Sequence, residues 1–308
     1  MYLILAAVVA MIWANSPFAE AYQAFAHIEA LKGAAIFVFF LSLGLELRQE
    51  ITHGSLSKPR QAIVPIFAAI GGMAVPVIIY SLINKDLPTA VGWGVPMSTD
   101  VAFALAVFAI AAKGLPKALR TFVLTVAVVD DSLTILMIAL FFASSFHMLS
   151  LVSLGGVVIG LFMPKGELVL GKLEKLVTYV ALPIFALMSA GVNLDGFSVE
   201  KLAGSAITIG ILAAMIIGKP LGVLGTAWLV TRSGLGKLSA GLKWPDMLAI
   251  GPLFGMCFTV ALLMSELSFA DSEIDRSTAN LSVFIGSAIS ALIATATLNS
   301  RKRAHVIR

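Results

Sequence analysis

The sequence is poor in the residues on which soluble and disulfide-stabilised proteins depend. Charged residues make up only 12% of its 308 positions, and hydrophobic residues make up 59%. A soluble domain usually has about a quarter charged residues and roughly half apolar ones. Cys257 is the single cysteine, which excludes a disulfide framework and a cysteine-based metal cluster. The composition therefore excludes a soluble globular domain and predicts a helical membrane protein.

Apolar segments near the length of a bilayer-spanning helix, about 20 residues, fill most of the chain. The first segment lacks the basic region of a secretory signal and is therefore predicted to span the membrane. Short connections leave no room for a second domain, so residues 1–308 are predicted to form a single all-α, polytopic transmembrane domain. The ten predicted spans are about 1–15, 31–50, 61–83, 91–112, 119–143, 148–164, 173–192, 203–231, 246–268 and 279–300.

Basic residues alternate between the two sets of loops that ten spans would create. Sixteen of the 21 Lys and Arg residues fall in one set of loops and the C-terminal tail, four fall in the opposite set, and Lys219 lies within a span. Because cytoplasmic loops carry an excess of Lys and Arg, both termini are predicted to be cytoplasmic. The same distribution accounts for the net charge of +4 without nucleic acid as a partner.

Two adjacent acids, Asp130 and Asp131, lie in the middle of residues 121–142, which are otherwise free of charge. A charged side chain at that depth costs roughly 2.5–3.5 kcal/mol on insertion scales, which indicates a paired or functional group. Adjacent helical residues point about 100° apart. One carboxylate can therefore pair with a lysine while the other faces a cavity. The alternative is that both acids cap a helix at the membrane surface.

A third acid, Asp100, follows a segment that contains Gly94 and Pro96 half-way across the fourth span. Proline removes a backbone donor and clashes with the preceding turn, so the helix is predicted to break there. Thr99 and Asp100 are suitable N-cap residues for a new half-helix that begins at Val101. Non-helical backbone at membrane depth is tolerated only where it is buried inside the protein or lines a water-filled cavity. The alternative is an ordinary proline kink with a satisfied cap.

The ninth span is interrupted in the same way by Gly251, Pro252 and Gly255. Two broken spans in matching positions of two halves indicate a transporter binding site, a rule for which the family named below is itself an example. The predicted repeats comprise three spans each, at about 61–143 and 203–300. Since they begin on opposite sides of the membrane, they are inverted, with the two discontinuous helices crossing at mid-membrane.

Lys219 lies mid-way along the eighth span beside Pro220. A buried lysine either loses its proton or pairs with a carboxylate, and Asp130 is the predicted partner. That pairing leaves Asp131 and Asp100 as the predicted ligands of a cation. The alternative is that the lysine extends to the membrane surface, which is mainly open to residues near helix ends.

Five segments resemble the NhaA family of bacterial sodium/proton antiporters, and the similarity covers most of the chain. They are GLELRQE at 44–50, STDVAFAL at 98–105, VVDD at 128–131, LPIFALMSAGV at 182–192 and IGKPLG at 217–222.

The resemblance implies exchange of Na⁺ or Li⁺ for H⁺ across the bacterial inner membrane, electrogenic and pH-regulated, without a cofactor and without enzymatic activity. It implies that Asp130 and Asp131 form the essential ion- and proton-binding pair, that Thr99 and Asp100 belong to the helix crossing, and that Lys219 supports Asp130. The partners implied are monovalent cations, protons, the lipid bilayer and a second copy of the chain. The acids that match the family's pH-regulating positions are Glu46, Glu50 and Glu174, for which a solvated helix end is the alternative.

The chain departs from the family pattern in its length. The family usually has twelve spans, and one hybrid span between Phe142 and Gly160 is predicted to replace three. The loop after the first span lacks the segment that forms the family's dimer-stabilising β-hairpin. A family histidine near the eighth span has His147 as its only candidate match.

Three other functions remain open at the level of sequence. The first is a sodium-coupled symporter of organic anions on the same fold. The second is an intramembrane aspartyl protease, which needs two acids that share a proton; no Gly-x-Gly-Asp segment surrounds Asp100 or Asp131. The third is a nonspecific channel without coupling.

Overall fold

The computed structural model describes residues 2–53, 59–137, 148–164, 166–194, 198–238 and 241–306. Within these ranges all regular structure is helical, and no residue belongs to a strand. The α-helices are α1 (Tyr2–Ala14), α2 (Ala19–Ala26), α3 (Glu29–Thr52), α4 (Pro59–Ile83), α5 (Val101–Ala111), α6 (Lys117–Met137), α7 (Met148–Phe162), α8 (Glu167–Leu176), α9 (Leu182–Ser189), α10 (Val199–Gly204), α11 (Ala206–Ala213), α12 (Lys219–Arg232), α13 (Trp244–Ile250), α14 (Thr259–Ser268) and α15 (Glu273–Val306). Two 3₁₀ segments (Pro88–Met97 and Gly251–Gly255) and two π turns (Val177–Ala181 and Ala214–Gly218) complete the helical structure.

Several helical runs are long and apolar enough to cross a membrane. In the described part of the chain they are Glu29–Gln49, Ala62–Ile83, Ala206–Arg232 and Glu273–Ala304. Two bent pairs of shorter helices also qualify when each pair is taken as one span. These six match the second, third, fourth, eighth, ninth and tenth predicted spans. The protein is an all-α, polytopic membrane protein.

The other four predicted spans fall on helices outside this group of six. The apolar stretches Leu5–Ala14 and Leu151–Phe162 match the first and sixth. Helices α8 and α9, joined by a π turn, match the seventh. The fifth, predicted at about 119–143, coincides with α6 as far as Met137. Its remaining residues, 138–143, lie outside the described residues, as does His147. The count of ten spans therefore stays a prediction.

Large apolar side chains on the outer surface suit a lipid environment. Ile110 is 75% exposed and Leu292 is 72% exposed, and both project from helices that belong to candidate spans. In water such a surface would be unfavourable at about 25 cal/mol per Å² of apolar area. In a bilayer it faces hydrocarbon.

The contacts divide the chain into two compact units. The first comprises Met1–Thr52 and Ser132–Lys201, and the second comprises His53–Asp131 and Leu202–Arg308. All of the predicted ion-binding residues, from Thr99 to Lys219, belong to the second unit.

In the first unit, α7 packs closely against α3 through two glycines one turn apart. A Cβ atom on Gly156 would meet the carbonyl oxygen of Phe37, and one on Gly160 would meet the carbonyl oxygen of Leu41. Small residues four positions apart allow this approach of two helix backbones inside a membrane. Gly155, beside them in sequence, faces open space.

In the second unit, both predicted helix breaks are present. The 3₁₀ segment Pro88–Met97 and helix α5 are bent by 49° at residues 98–100. The helical run Trp244–Gly255 and helix α14 are bent by 46° at residues 256–258. Helix α5 begins at Val101 with Asp100 as its N-cap, so the predicted start and cap are confirmed.

Helix α15 holds the first half of the second broken span. Arg301 near its end forms an ion pair through Nε with Asp246, which is fully buried in the first turn of α13. Thr297 on α15 also donates a hydrogen bond to the carbonyl oxygen of Ala249, at 2.9 Å. Asp246 is not among the buried charges predicted from the sequence, and it stands at the first position of the predicted ninth span.

Candidate functional site

The two non-helical stretches contact each other directly through backbone atoms. The Asp100 N–H donates a hydrogen bond of 2.8 Å to the carbonyl oxygen of Met256. The Thr99 hydroxyl donates one of 2.9 Å to the carbonyl oxygen of Phe254. Backbone groups that the breaks remove from helical hydrogen bonding are thus satisfied across the crossing, as required where no water is available.

Cys257 lies at the centre of the second break and is fully buried. Its Sγ shares a hydrogen bond of 3.1 Å with the hydroxyl of Ser98 in the first break. Ser287 of α15 donates to the Cys257 carbonyl oxygen and accepts from the Cys257 N–H. The single cysteine is therefore part of the packing of the crossing.

Lys219 is bound within the second unit and does not extend to the surface. Its side chain is 1% exposed. Its Nζ lies 2.9 Å from Oδ2 of Asp130 and 3.0 Å from Oγ1 of Thr99. The predicted contact with Asp130 is present, and the surface-directed alternative is wrong. Lys219 links helix α12, helix α6 and the first break.

A π turn over Ala214–Gly218 immediately precedes Lys219. The Lys219 N–H donates to the carbonyl oxygen of Ala214, five residues back, and Pro220 has no N–H to donate. The backbone is therefore locally widened where the lysine leaves the helix. Such single π turns inside α-helices are frequent at functional sites. No residue pattern in the sequence indicates this kind of turn.

Both acids of the central pair are buried in helix α6. Asp130 is 2% exposed and Asp131 is 7% exposed. Oδ2 of Asp130 accepts the hydrogen bond from Lys219, and the Thr99 side chain and backbone also interact with the Asp130 carboxyl group. Because the helix continues to Met137, the alternative in which the pair caps a helix at the surface is wrong.

Asp100 is half-buried, and each of its carboxylate oxygens accepts a hydrogen bond. Oδ1 accepts from the N–H of Phe103 in α5, at 3.0 Å. Oδ2 accepts from the hydroxyl of Thr259, the first residue of α14, at 2.8 Å. The carboxylate thus lies at the N-termini of two half-helices, where the helix dipoles favour negative charge.

Thr259 is a contact of the site that the sequence analysis missed. The available signal was its position directly after the second break, where a hydroxyl residue suits a helix start. Its partner lies 159 residues away in sequence, so only the crossing geometry identifies it.

The three acids that match pH-regulating positions lie in the first unit. Glu46 on α3 is half-buried, accepts a hydrogen bond of 3.2 Å from Ser42, and lies within electrostatic range of Glu174 on α8. Glu174 is exposed, and Glu50 lies on α3. The alternative to a pH-regulating role was a solvated helix end. The exposure of Glu174 agrees with that alternative, and the partial burial of Glu46 does not.

No three His, Cys, Asp or Glu side chains cluster in the parts of the chain that the structure describes. Hard cations accept carboxylate, hydroxyl, carbonyl and water oxygens as ligands.

Two interrupted helices that cross beside buried carboxylates and a buried lysine define a secondary transporter of the membrane. The sequence model of the family described as Na⁺/H⁺ antiporter 1 matches residues 1–170 and 153–298. The chain belongs to this family.

Curated relatives from distant bacteria match nearly the whole chain. The Na(+)/H(+) antiporter NhaA of Frankia casuarinae is 33% identical over 374 residues, which cover 98% of this chain and 85% of the relative. That of Haemophilus ducreyi is 34% identical, covering 94% of this chain and 91% of the relative. That of Citrobacter koseri is 34% identical, covering 97% and 94%.

The matches also bear on the shortened middle of the chain. Residues 153–170 match the family model twice, once at the end of each matched range. The alignment of 374 residues is longer than the chain of 308, so residues of the relative lie opposite gaps. The doubly matched residues overlap the predicted hybrid span, and its replacement of three family spans stays a prediction.

Proposed function

We propose that this protein exchanges Na⁺ or Li⁺ for H⁺ by competition for the buried carboxylates of the second unit. The observation that carries the proposal is the buried contact between Lys219 and Oδ2 of Asp130, beside the helix crossing that contains Asp100. Asp131 is buried next to Asp130.

Burial and a neighbouring like charge both favour the protonated form of a carboxyl group. A monovalent cation that binds carboxylate oxygens therefore displaces protons, and protons displace the cation. Asp131 is the proposed direct site of cation and proton binding, with Asp100 approaching from the crossing. Asp130 carries a proton through its coupling to Lys219 and is not a direct ligand.

Alternating exposure of this site would complete the cycle. In inverted-repeat transporters, of which NhaA is an established example, one bundle moves against the other around a site near the midplane. The two repeats proposed here are residues 61–143 and 203–300. If Asp130 and Asp131 both exchange protons for one cation, each cycle moves net charge and responds to voltage.

The proposed setting is the bacterial inner membrane, with both termini cytoplasmic and a homodimer as the assembled form. The 16-to-4 distribution of basic residues supports the sidedness. Reporter fusions at each terminus, scored for cytoplasmic or periplasmic activity, would test it.

pH regulation is proposed to involve Glu46, Glu50 and Glu174. The basis is the partial burial of Glu46 and its electrostatic interaction with Glu174. The pH profile of exchange should change for Glu46→Gln and remain unchanged for Glu20→Gln, whose side chain is exposed.

Two alternatives find less support. An intramembrane protease needs two carboxyl groups that share a proton, whereas the oxygens of Asp100 accept from Phe103 and Thr259. A sodium-coupled anion symporter has no support from the names of the relatives, which are Na⁺/H⁺ antiporters.

The experiment is dequenching of a fluorescent pH probe in everted membrane vesicles on addition of Na⁺ or Li⁺, at several pH values. The wild-type protein should dissipate the pH gradient, Asp131→Asn should not, and the exposed control Asp271→Asn should behave as wild type. Normal Na⁺-dependent proton flux with Asp131→Asn would contradict the assignment of Asp131 as the direct binding site.

A further inference from the structure

The Asp100 carboxylate connects two half-helices that are far apart in sequence. Its Oδ1 is held by the first turn of α5 through the Phe103 N–H, and its Oδ2 is held by the first residue of α14 through the Thr259 hydroxyl. The Asp100 N–H is bound to the Met256 carbonyl oxygen. The backbone and both oxygens of one acid are thus fixed at the crossing.

Of these contacts, that from Thr259 is the one a substitution can remove without changing Asp100 or the backbone. The side chain is 5% exposed and its Oγ1 lies 2.8 Å from Oδ2. A hydroxyl that donates to an ionised carboxylate makes a shorter and stronger hydrogen bond than a neutral pair. If the hydrogen bond from the Phe103 N–H to Oδ1 were the only one, the carboxylate plane could still turn about that hydrogen bond.

An ionised carboxylate has about four lone-pair positions on its two oxygens. The bonds from Phe103 and Thr259 occupy one position on each oxygen and orient the remaining ones. An oriented carboxylate presents its free positions to a cation without first having to lose rotational freedom. Preorganisation of this kind raises affinity by reducing the entropy lost on binding.

We propose that Thr259 is a positioning residue for cation exchange, which acts by holding the Asp100 carboxylate in its orientation at the helix crossing. This inference rests on the proposed function, because it assumes that Asp100 faces the transported ion. It adds to that function a residue of the second repeat whose effect falls on ion affinity and not on the number of ions carried.

The test compares Thr259→Val, Thr259→Ser and wild type for Na⁺- and Li⁺-dependent proton flux in proteoliposomes. Valine keeps the shape and removes the hydroxyl, so the apparent KM for both ions should rise about tenfold, the factor expected for one hydrogen bond to a charged group. The maximal rate should change much less. Serine keeps the donor and should restore the wild-type KM.

Thr295→Val is the matched control. Its hydroxyl donates to the carbonyl oxygen of Ala291 in its own helix, at 2.8 Å, outside the crossing. The same loss of a threonine hydroxyl there should leave the KM unchanged. The melting temperature of each purified variant in detergent shows whether it folds.

The possible outcomes separate the two proposals. If wild type shows no Na⁺- or Li⁺-dependent proton flux, the proposed exchange fails and the role of Thr259 falls with it. If wild type works and Thr259→Val has a wild-type KM, only the role of Thr259 is overturned. A lower melting temperature and maximal rate with an unchanged KM, not restored by serine, would also overturn it, because that pattern is purely structural.

Discussion

Lys219 and Asp130 share a hydrogen bond of 2.9 Å across 89 residues of sequence, and neither side chain is more than 2% exposed. Removing one partner of such a buried pair leaves an uncompensated charge, whereas replacing both by neutral groups can be neutral or even stabilising. The pair as a whole therefore need not stabilise the fold. Each of the two charges, however, can be buried only because the other is present.

Lys219→Ala should destabilise the protein by about 3–5 kcal/mol, because it leaves Asp130 buried without its cation. The measurement is the melting temperature of the purified protein in detergent. Lys243→Ala provides the control, since Lys243 is exposed and its removal should have little effect.

The double substitution Lys219→Gln with Asp130→Asn should recover much of that loss, because two amides retain a hydrogen bond without a buried charge. A double variant no more stable than Lys219→Ala would show that the charges themselves hold the fold.

Asp130→Asn and Asp131→Asn should not behave alike in transport. The first replaces the carboxylate that pairs with Lys219 by a neutral amide. The proposed ligand Asp131 is still present, so residual cation exchange is expected. The second removes the proposed ligand, so exchange should be lost. Na⁺- and Li⁺-dependent proton flux in proteoliposomes distinguishes them, and equal loss in both variants would contradict the division of roles.

Gly160→Ala should destabilise the first unit by about 1–3 kcal/mol, since its new methyl group would meet the backbone of α3. Gly155→Ala has open space around its Cβ position and should be neutral or stabilising, because alanine favours a helix by about 1 kcal/mol over glycine. Melting temperatures of the two variants provide the comparison. Equal effects would contradict the close packing of α3 and α7.

Arg301→Ala should destabilise the protein more than Asp246→Asn does, because the first change leaves a fully buried carboxylate without its guanidinium partner. Removal of one partner of a buried pair costs about 3–5 kcal/mol. Arg303→Ala, at an exposed position on the same helix, should be close to wild type in the same thermal assay. The reverse order for the first two variants would show that solvent compensates Asp246.

The parts of the fold that follow from local chemistry were predictable. Glycine and proline cluster at the middle of two spans, so both breaks and the cap at Asp100 could be located from the sequence, although isolated Pro65 and Pro76 lie inside the continuous helix α4. The high cost of intramembrane charge likewise led from Lys219 to Asp130, since few other carboxylates lie at that depth.

The remaining contacts depend on which segments cross, and this is not a local property. Thr259 contacts Asp100 only because α5 and α14 begin at the same point. Asp246 is buried only because α15 extends beyond the apolar stretch and brings Arg301 over it. The π turn before Lys219 lies where this part of the chain packs along α4, and no residue pattern is diagnostic of such a turn.

The burial of Cys257 has a practical consequence. The thiol is enclosed by the crossing and bonded to Ser98, so water-soluble maleimides should leave the resting protein unmodified. New cysteines introduced for spectroscopic probes can then be labelled selectively without first removing the native one. Any modification of Cys257 during transport would report, from inside the molecule, that the two breaks have separated.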